Sequence, residues 1–244
     1  MKIAAIIQAR MGSTRLSGKV MKELEGKTVL SHVIERVRQS KLIQDIIIAT
    51  TTHERDNIIE TEAIYCGSKV YRGSEDDVLS RYYFAAKEYN VENIIRITSD
   101  CPLIDPNVID EIIEFYLKGT YELLTNAGSD LTQRTYPRGL DIEIFSFEVL
   151  EKAFINGKES YHREHVTPYI YEQSKKIYYF KNKVDYSKYR WTLDTKEDFE
   201  LISEIYSRLF KGAHDFYLPD IIELFKEEPD LHTINAHIEQ KKIN

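Results

Sequence analysis

The densest chemistry in this 244-residue sequence lies between Gln8 and Lys19, where three cations, Arg10, Arg15 and Lys19, are interspersed with Gly12, Ser13 and Gly18. Gly12 and Ser13 let backbone N–H groups approach phosphate oxygens, and the cations supply the charge-assisted contacts that a triphosphate needs. Two carboxylates are candidates for the other half of such a site. Asp100 ends the apolar run Ile94–Thr98 just before Pro102, where the chain must leave a sheet. Asp194 lies in the stretch Arg190–Asp198, before a helical run. An aspartate followed by threonine and a helix also suits a cap, so both readings of Asp194 stand.

Known phosphate loops do not fit. A Walker A loop needs four residues between its glycines and Ser or Thr after the lysine; here Gly12 and Gly18 are five apart and Val20 follows Lys19. A G-x-G-x-x-G fingerprint is absent as well. Further along, Ser74 suits a helix N-cap, and Asp76 and Asp77 suit a first helical turn. That leaves Arg72 and Arg81 as candidate nucleotide contacts. His162 and His165 are three apart without an H-E-x-x-H frame, and Cys66 and Cys101 form no C-x-x-C pair, so neither zinc nor a disulfide framework is indicated.

Elements must bring these groups together. Strand-length apolar runs at Ile3–Ala9, Asp45–Thr50, Lys69–Arg72 and Asn93–Thr98 alternate with helical faces, Val29 to Val37 and Val78 to Ala86. This predicts an α/β fold with a doubly wound, mostly parallel sheet, in which the first loop and Asp100 share one edge. Leu140–Phe145 reads as a half-buried strand, Lys176–Phe180 as another, and Asp198–Phe210 and Leu218–Phe225 as helices. One domain over 1–244 is expected, with the stretch from 125 to 165 as the candidate for a protruding acceptor or dimer segment.

Lys plus Arg (33) against Asp plus Glu (40) gives a net charge of −7, which disfavours nucleic acid and anionic membrane as partners. The apolar run from Ile3 to Ile7 is too short for a signal h-region or a membrane span, so a cytoplasmic location is expected.

The run from Ile6 to Val37, Val70–Tyr82 and Thr98–Pro102 together resemble the spore-coat-polysaccharide cytidylyltransferase-like family, related to the CMP-KDO and CMP-acylneuraminate synthetases. The likeness runs from Ile3 to about Asp198. Such enzymes usually carry Leu-Pro-Gly-Lys in the first loop, where this chain has Ser17 in place of proline. The resemblance implies a Rossmann-like nucleotidyltransferase fold that transfers CMP from CTP to a sugar, an acidic one, for surface polysaccharide synthesis. It implies Mg2+ on Asp100 and Asp194, the latter in an Asp-Thr-x-x-Asp segment, phosphate contacts from Arg10, Arg15 and Lys19, and a homodimer. It also implies acceptor contacts near Pro137–Glu143, with Glu143, Arg163 and His165 as candidates.

Three rival readings remain at this point: a different nucleotide, or a polyol-phosphate or phosphonate acceptor, on the same fold; a non-catalytic nucleotide- or sugar-binding subunit; and a glycosyltransferase. The last would favour an Asp-x-Asp motif, which Ser99-Asp100-Cys101 does not supply.

Overall fold

A computed structural model describes residues 1–239. In chain order its elements are β1 (Ile3–Gln8), β2 (Glu23–Leu24), β3 (Lys27–Thr28), α1 (Val29–Arg38), β4 (Asp45–Thr51), α2 (Asn57–Tyr65), β5 (Lys69–Gly73), α3 (Val78–Glu88), β6 (Asn93–Thr98) and α4 (Pro106–Leu117). There follow β7 (Leu123–Thr125), β8 (Glu143–Ser146), α5 (Phe147–Asn156), α6 (Ser160–His165), α7 (Pro168–Gln173), β9 (Ile177–Tyr179), α8 (Lys196–Leu209) and α9 (Leu218–Glu227).

Seven strands form one sheet in the order β5-β4-β1-β6-β8-β7-β9, in which only β8 runs against its neighbours. Helices cover both faces. Strand β1 sends Ile3, Ala5 and Ile7 into one hydrophobic layer and Ala4 and Ile6 into the other. A strand buried on both faces reads as continuously apolar, which is why these runs were legible without alternation. After β1 the chain steps outward to β4 and β5, then returns to place β6 on β1's other side. Loops following β1 and β6 therefore leave the sheet side by side at its switch point, where open α/β sheets bind ligands.

The second half departs from expectation in one respect. Leu140–Phe145 is not half-buried: β8 lies inside the sheet, with Ile142 and Ile144 in one layer and Phe145 in the other. Within the stretch from 125 to 165, Ser129–Thr132 form one exposed run and Lys158–Ser160 another, on either side of the buried β8. Both cysteines are free. Among the described residues no helix is long and apolar enough to cross a membrane.

One glycine fixes how the second half docks. Gly139 has φ +97, and a Cβ there would lie 2.5 Å from the backbone carbonyl carbon and oxygen of Trp191. On either side, Arg138 N–H donates to Tyr189 O (3.0 Å) and Trp191 N–H to Arg138 O (2.7 Å). Gly26 also has positive φ, +78, but has open space around it. Gly26→Ala should cost about 1–2 kcal/mol, the backbone penalty alone, whereas Gly139→Ala adds a backbone clash and should cost about 3–5 kcal/mol. Urea denaturation of both variants checks this; equal losses would contradict it.

Candidate active site

The two loops at the switch point meet through one ammonium. Lys19 opens a 3₁₀ turn just after Gly18, whose φ of +61 turns the chain back toward β6. Its Nζ lies 2.7 Å from Asp100 Oδ2 and 2.8 Å from Asp194 Oδ1. Arg15 reaches Asp194 Oδ2 at 3.0 Å. Arg190 bonds the same oxygen at 3.0 Å and grips both oxygens of Asp198 at 2.8 and 2.9 Å. Three cations thus interlock with three carboxylates.

Each carboxylate is oriented from behind. The Thr98 hydroxyl donates to Asp100 Oδ1 (2.5 Å), which leaves Oδ2 for Lys19. Leu193 N–H donates to the Asp100 carbonyl (2.8 Å), so the segment ahead of α8 is laid across the end of β6. Asp198 accepts from the N–H groups of Asp194 (2.9 Å) and Thr195 (3.0 Å), and Asn235 donates to it at 2.8 Å. Thr195, not Asp194, caps α8, in a capping box with Asp198. The Asp194 carboxylate is thereby released from the capping role that the sequence also allowed.

Burial by itself pulls the Lys19 ammonium down, but Asp100 and Asp194 outweigh it and hold its pKa above the usual lysine value. Burial likewise pushes Asp100 up, and Lys19 and the Thr98 hydroxyl reverse that and hold it below the usual carboxylate value. At neutral pH both groups are ionised.

Two carboxylates from different loops that converge on one cation are what a hard divalent ion needs, since Mg2+ takes one or two carboxylates and fills its remaining positions with phosphate oxygens and water. Asp100 and Asp194 therefore fit the ion, on condition that Lys19 gives up its place. No cluster of three or more His, Cys, Asp or Glu able to hold a metal occurs among the described residues, so substrate oxygens would have to complete the coordination.

The remaining expected residues divide. Arg10 lies near Glu75 (3.6 Å), beside Gly12, which packs under Glu75 and Arg55. Ser13 N–H donates to Met11 O (2.8 Å), closing a turn where an open cradle for phosphate was expected. Arg72 sits at the end of β5 as foreseen, but its guanidinium donates to the carbonyls of Thr51 (2.8 Å) and His53 (2.9 Å) and pairs with Glu60 (2.7 Å). Arg81 is 1% exposed and donates to the carbonyls of Ser74 (2.8 Å) and Glu75 (3.3 Å). Both arginines, expected from the sequence as nucleotide contacts, brace turns in this structure.

Glu143 also differs from expectation. It faces Arg96 across the β6–β8 ladder, pairs with it at 2.5 Å, and accepts from the hydroxyls of Tyr171 (2.7 Å) and Thr167 (3.1 Å). Both carboxylate oxygens are spent inside the protein. Arg163 donates to Phe154 O (3.0 Å) and lies 3.5 Å from Asp77, so it ties α6 to the start of α3. His165 is the half-buried last residue of α6.

The sequence reading did not single out a pair of arginines near Asp141. Arg134 is buried and grips Asp141 at 2.6 and 3.1 Å, while its Nε–H has no partner among the described residues. Arg138 is half-buried; its backbone is tied to Tyr189 and Trp191, and its guanidinium lies near Asp141 and Arg134. Burial and then Arg134 lower its pKa, with Arg190 adding to that repulsion. Burial, and then Asp100 and Asp141, push up the Cys101 thiol next to Asp100.

Lys19→Met tests the cluster. Without the ammonium, Asp100 and Asp194 confront each other, and the cause that holds the Asp100 pKa down is gone. In the wild type the lowered Asp100 pKa means that its stabilisation is present above the ordinary carboxylate value and lost only as pH falls below it. The variant should lose about 3 kcal/mol at neutral pH, and the deficit should shrink as acid protonates the facing carboxylates. Mg2+ should raise the melting temperature of the variant more than that of the wild type. A deficit independent of pH, or no extra response to Mg2+, would contradict the arrangement.

Comparison with known proteins agrees with this architecture. The family model described as Cytidylyltransferase matches residues 4–242. A protein of Methanocaldococcus jannaschii described as uncharacterised is 40% identical, over 99% of this chain and 97% of its own. The spore coat polysaccharide biosynthesis protein SpsF of Bacillus subtilis is 34% identical, over 95% of this chain and 97% of its own. The solved structure of a cytidylyltransferase from Leptospira borgpetersenii superposes with a TM-score of 0.90 at 38% identity, covering 99% of this chain and 100% of that one. With the model spanning nearly its whole length and the fold shared end to end, the chain belongs to the cytidylyltransferase family.

Proposed function

We propose that the chain is a Mg2+-dependent cytidylyltransferase that transfers CMP from CTP to an acidic sugar, releasing pyrophosphate, in the making of a surface polysaccharide. The observation that carries this reading is the ammonium of Lys19 shared by Asp100 and Asp194 at the switch point of the sheet. A triphosphate and its counter-ion can exchange partners with such a cluster: phosphate oxygens take Lys19 and Arg15, and the freed carboxylates take the metal. Family membership supports the nucleotide, and the relative involved in spore coat polysaccharide biosynthesis supports the pathway.

In the reaction an acceptor oxygen attacks the α-phosphorus while the bond to the β-phosphate breaks. Lys19 and Arg15 neutralise charge on the departing pyrophosphate, and Arg10 extends the same cationic rim. Asp100 and Asp194, held by Thr98 and Arg190, would hold Mg2+, which when bound offsets phosphate charge and orients the α-phosphate. Catalysis in this scheme is positioning and charge neutralisation. Arg138, with a half-buried guanidinium beside Asp141, suits the acid group of the acceptor. CTP and the sugar are the partners; a homodimer and a cytoplasmic location are part of the same reading.

Pyrophosphate release is the direct assay, run with CTP, UTP, ATP and GTP and Mg2+ against acidic, phosphorylated and neutral sugars. Release should depend on CTP and on an acidic acceptor, and Asp100→Asn should lower kcat by roughly a hundredfold or more. Release with another nucleotide, or an unaffected Asp100→Asn, would refute the reading. Arg138→Ala should raise the acceptor KM by about ten- to a hundredfold, the worth of a charge-assisted contact, with the KM for CTP unchanged. An unchanged acceptor KM would remove Arg138 from the site.

A further inference from the structure

Over the first loop sits a second ionic cluster, of which the scheme above uses only Arg10. The Glu75 carboxylate is contacted by Arg55, by His53 Nε2 (2.8 Å) and by Arg10 (3.6 Å). Glu75 is the covered member, 17% exposed, while Arg10, Arg55 and His53 are 39%, 50% and 56% exposed. Two guanidinium groups and an imidazole thus form the outer surface, and the one carboxylate lies beneath them.

The cluster is built into the loop. A Cβ at Gly12 would fall 2.8 Å from Glu75 Oε1 and 3.1 Å from Arg55 Nη2, so glycine is what lets the pair lie against the chain there. One residue earlier, Met11 N–H donates to the buried Asp56 (2.8 Å), whose other oxygen takes the Thr51 hydroxyl. The turn that carries His53 and Arg55 is thereby docked onto the first loop. Arg72 braces this turn through the carbonyls of Thr51 and His53, and Arg81 braces the turn carrying Glu75 through the carbonyls of Ser74 and Glu75. Two buried or half-buried arginines bonded to backbone carbonyls thus hold Arg55, His53 and the Glu75 carboxylate in place.

We propose that Arg55 is a further triphosphate-binding residue, and that Glu75 is its resident counter-ion, displaced from Arg55 and Arg10 when phosphate oxygens arrive. The proposal rests on the reading that the first loop takes a nucleoside triphosphate. It extends to this cluster the partner exchange inferred for Lys19: an internal carboxylate holds the arginines in position in the free protein and competes with the ligand for them. Removal of the cation and removal of the competitor should then act in opposite directions, which a merely structural ion pair would not do.

Calorimetric titration of the full chain with CTP and with inorganic tripolyphosphate tests it, on the wild type, Arg55→Ala, Arg55→Lys, Glu75→Gln and the Arg55→Ala/Glu75→Gln double variant. Arg55→Ala should weaken both ligands by about tenfold or more, as loss of a charge-assisted contact does, and Arg55→Lys should recover part of that. Glu75→Gln should tighten both ligands severalfold, and most of that gain should vanish in the double variant, because the two side chains act on one another. Unchanged binding by Arg55→Ala in a wild type that binds both ligands overturns the proposal alone. So does weaker binding by Glu75→Gln, which would make the pair a scaffold, or a loss for CTP without one for tripolyphosphate, which would move Arg55 to the base or ribose. A wild type that binds neither ligand overturns the triphosphate reading together with it.

Discussion

Everything at the sheet edge turns on one ammonium held by two carboxylates that come from distant parts of the chain. Asp100 and Asp194 would repel each other if brought this close without Lys19, and Lys19 would lose free energy by burial without them. The interaction therefore requires β1 and β6 to be neighbours, the loop after β1 to turn back at Gly18, and the segment before α8 to lie across the end of β6. Gly139 makes that last docking sterically feasible, and Asp198 with Arg190 keeps Asp194 turned toward the cluster. Protein architecture and site electrostatics here are one constraint seen from two sides.

A site that binds a polyanion and a metal has to exist before either arrives. This chain meets the difficulty by neutralising itself: Arg15 and Lys19 are matched with Asp194 and Asp100, and Arg10 and Arg55 with Glu75. Such pairs keep long cationic side chains ordered in a protein of net charge −7. They also set a cost that a ligand must offset, and a ligand that brings both charges offsets it best, since it satisfies the groups that it separates. Arg138 differs in that its neighbour Asp141 is gripped by Arg134, which leaves the half-buried Arg138 guanidinium sharing a carboxylate already bound.

The sheet was legible because its strands are buried on both faces: apolar runs such as Ile3–Ile7 and Ile94–Thr98 have few other uses. That Lys19 and Asp100 come together follows from the same pattern, since they lie in the loops that leave the neighbouring strands β1 and β6. Arg72 and Arg81 show the limit of that logic. An arginine near a strand end can serve a ligand or a backbone carbonyl, and only the fold reveals that these two reach carbonyls of the turns at Thr51–His53 and Ser74–Glu75. Glu143 was misread as half-exposed because its partner, Arg96, lies on another strand. Arg55, His53 and Arg138 carried no local signal, since their importance comes from where two turns and a bridge to Arg190 place them.

The central claim is an exchange of partners, in which phosphate takes the cations and metal takes the carboxylates, so the two ligands must bind cooperatively and reciprocally. The most direct test is a calorimetric cycle of CTP binding with and without Mg2+, to the wild type and to Asp194→Asn. The account predicts that Mg2+ strengthens CTP binding to the wild type by about tenfold or more, and that most of this gain disappears in the variant. Equal affinity for CTP with and without Mg2+ in the wild type, or an undiminished gain in Asp194→Asn, would show that the Lys19 cluster is a structural tie and not the place where nucleotide and metal are received.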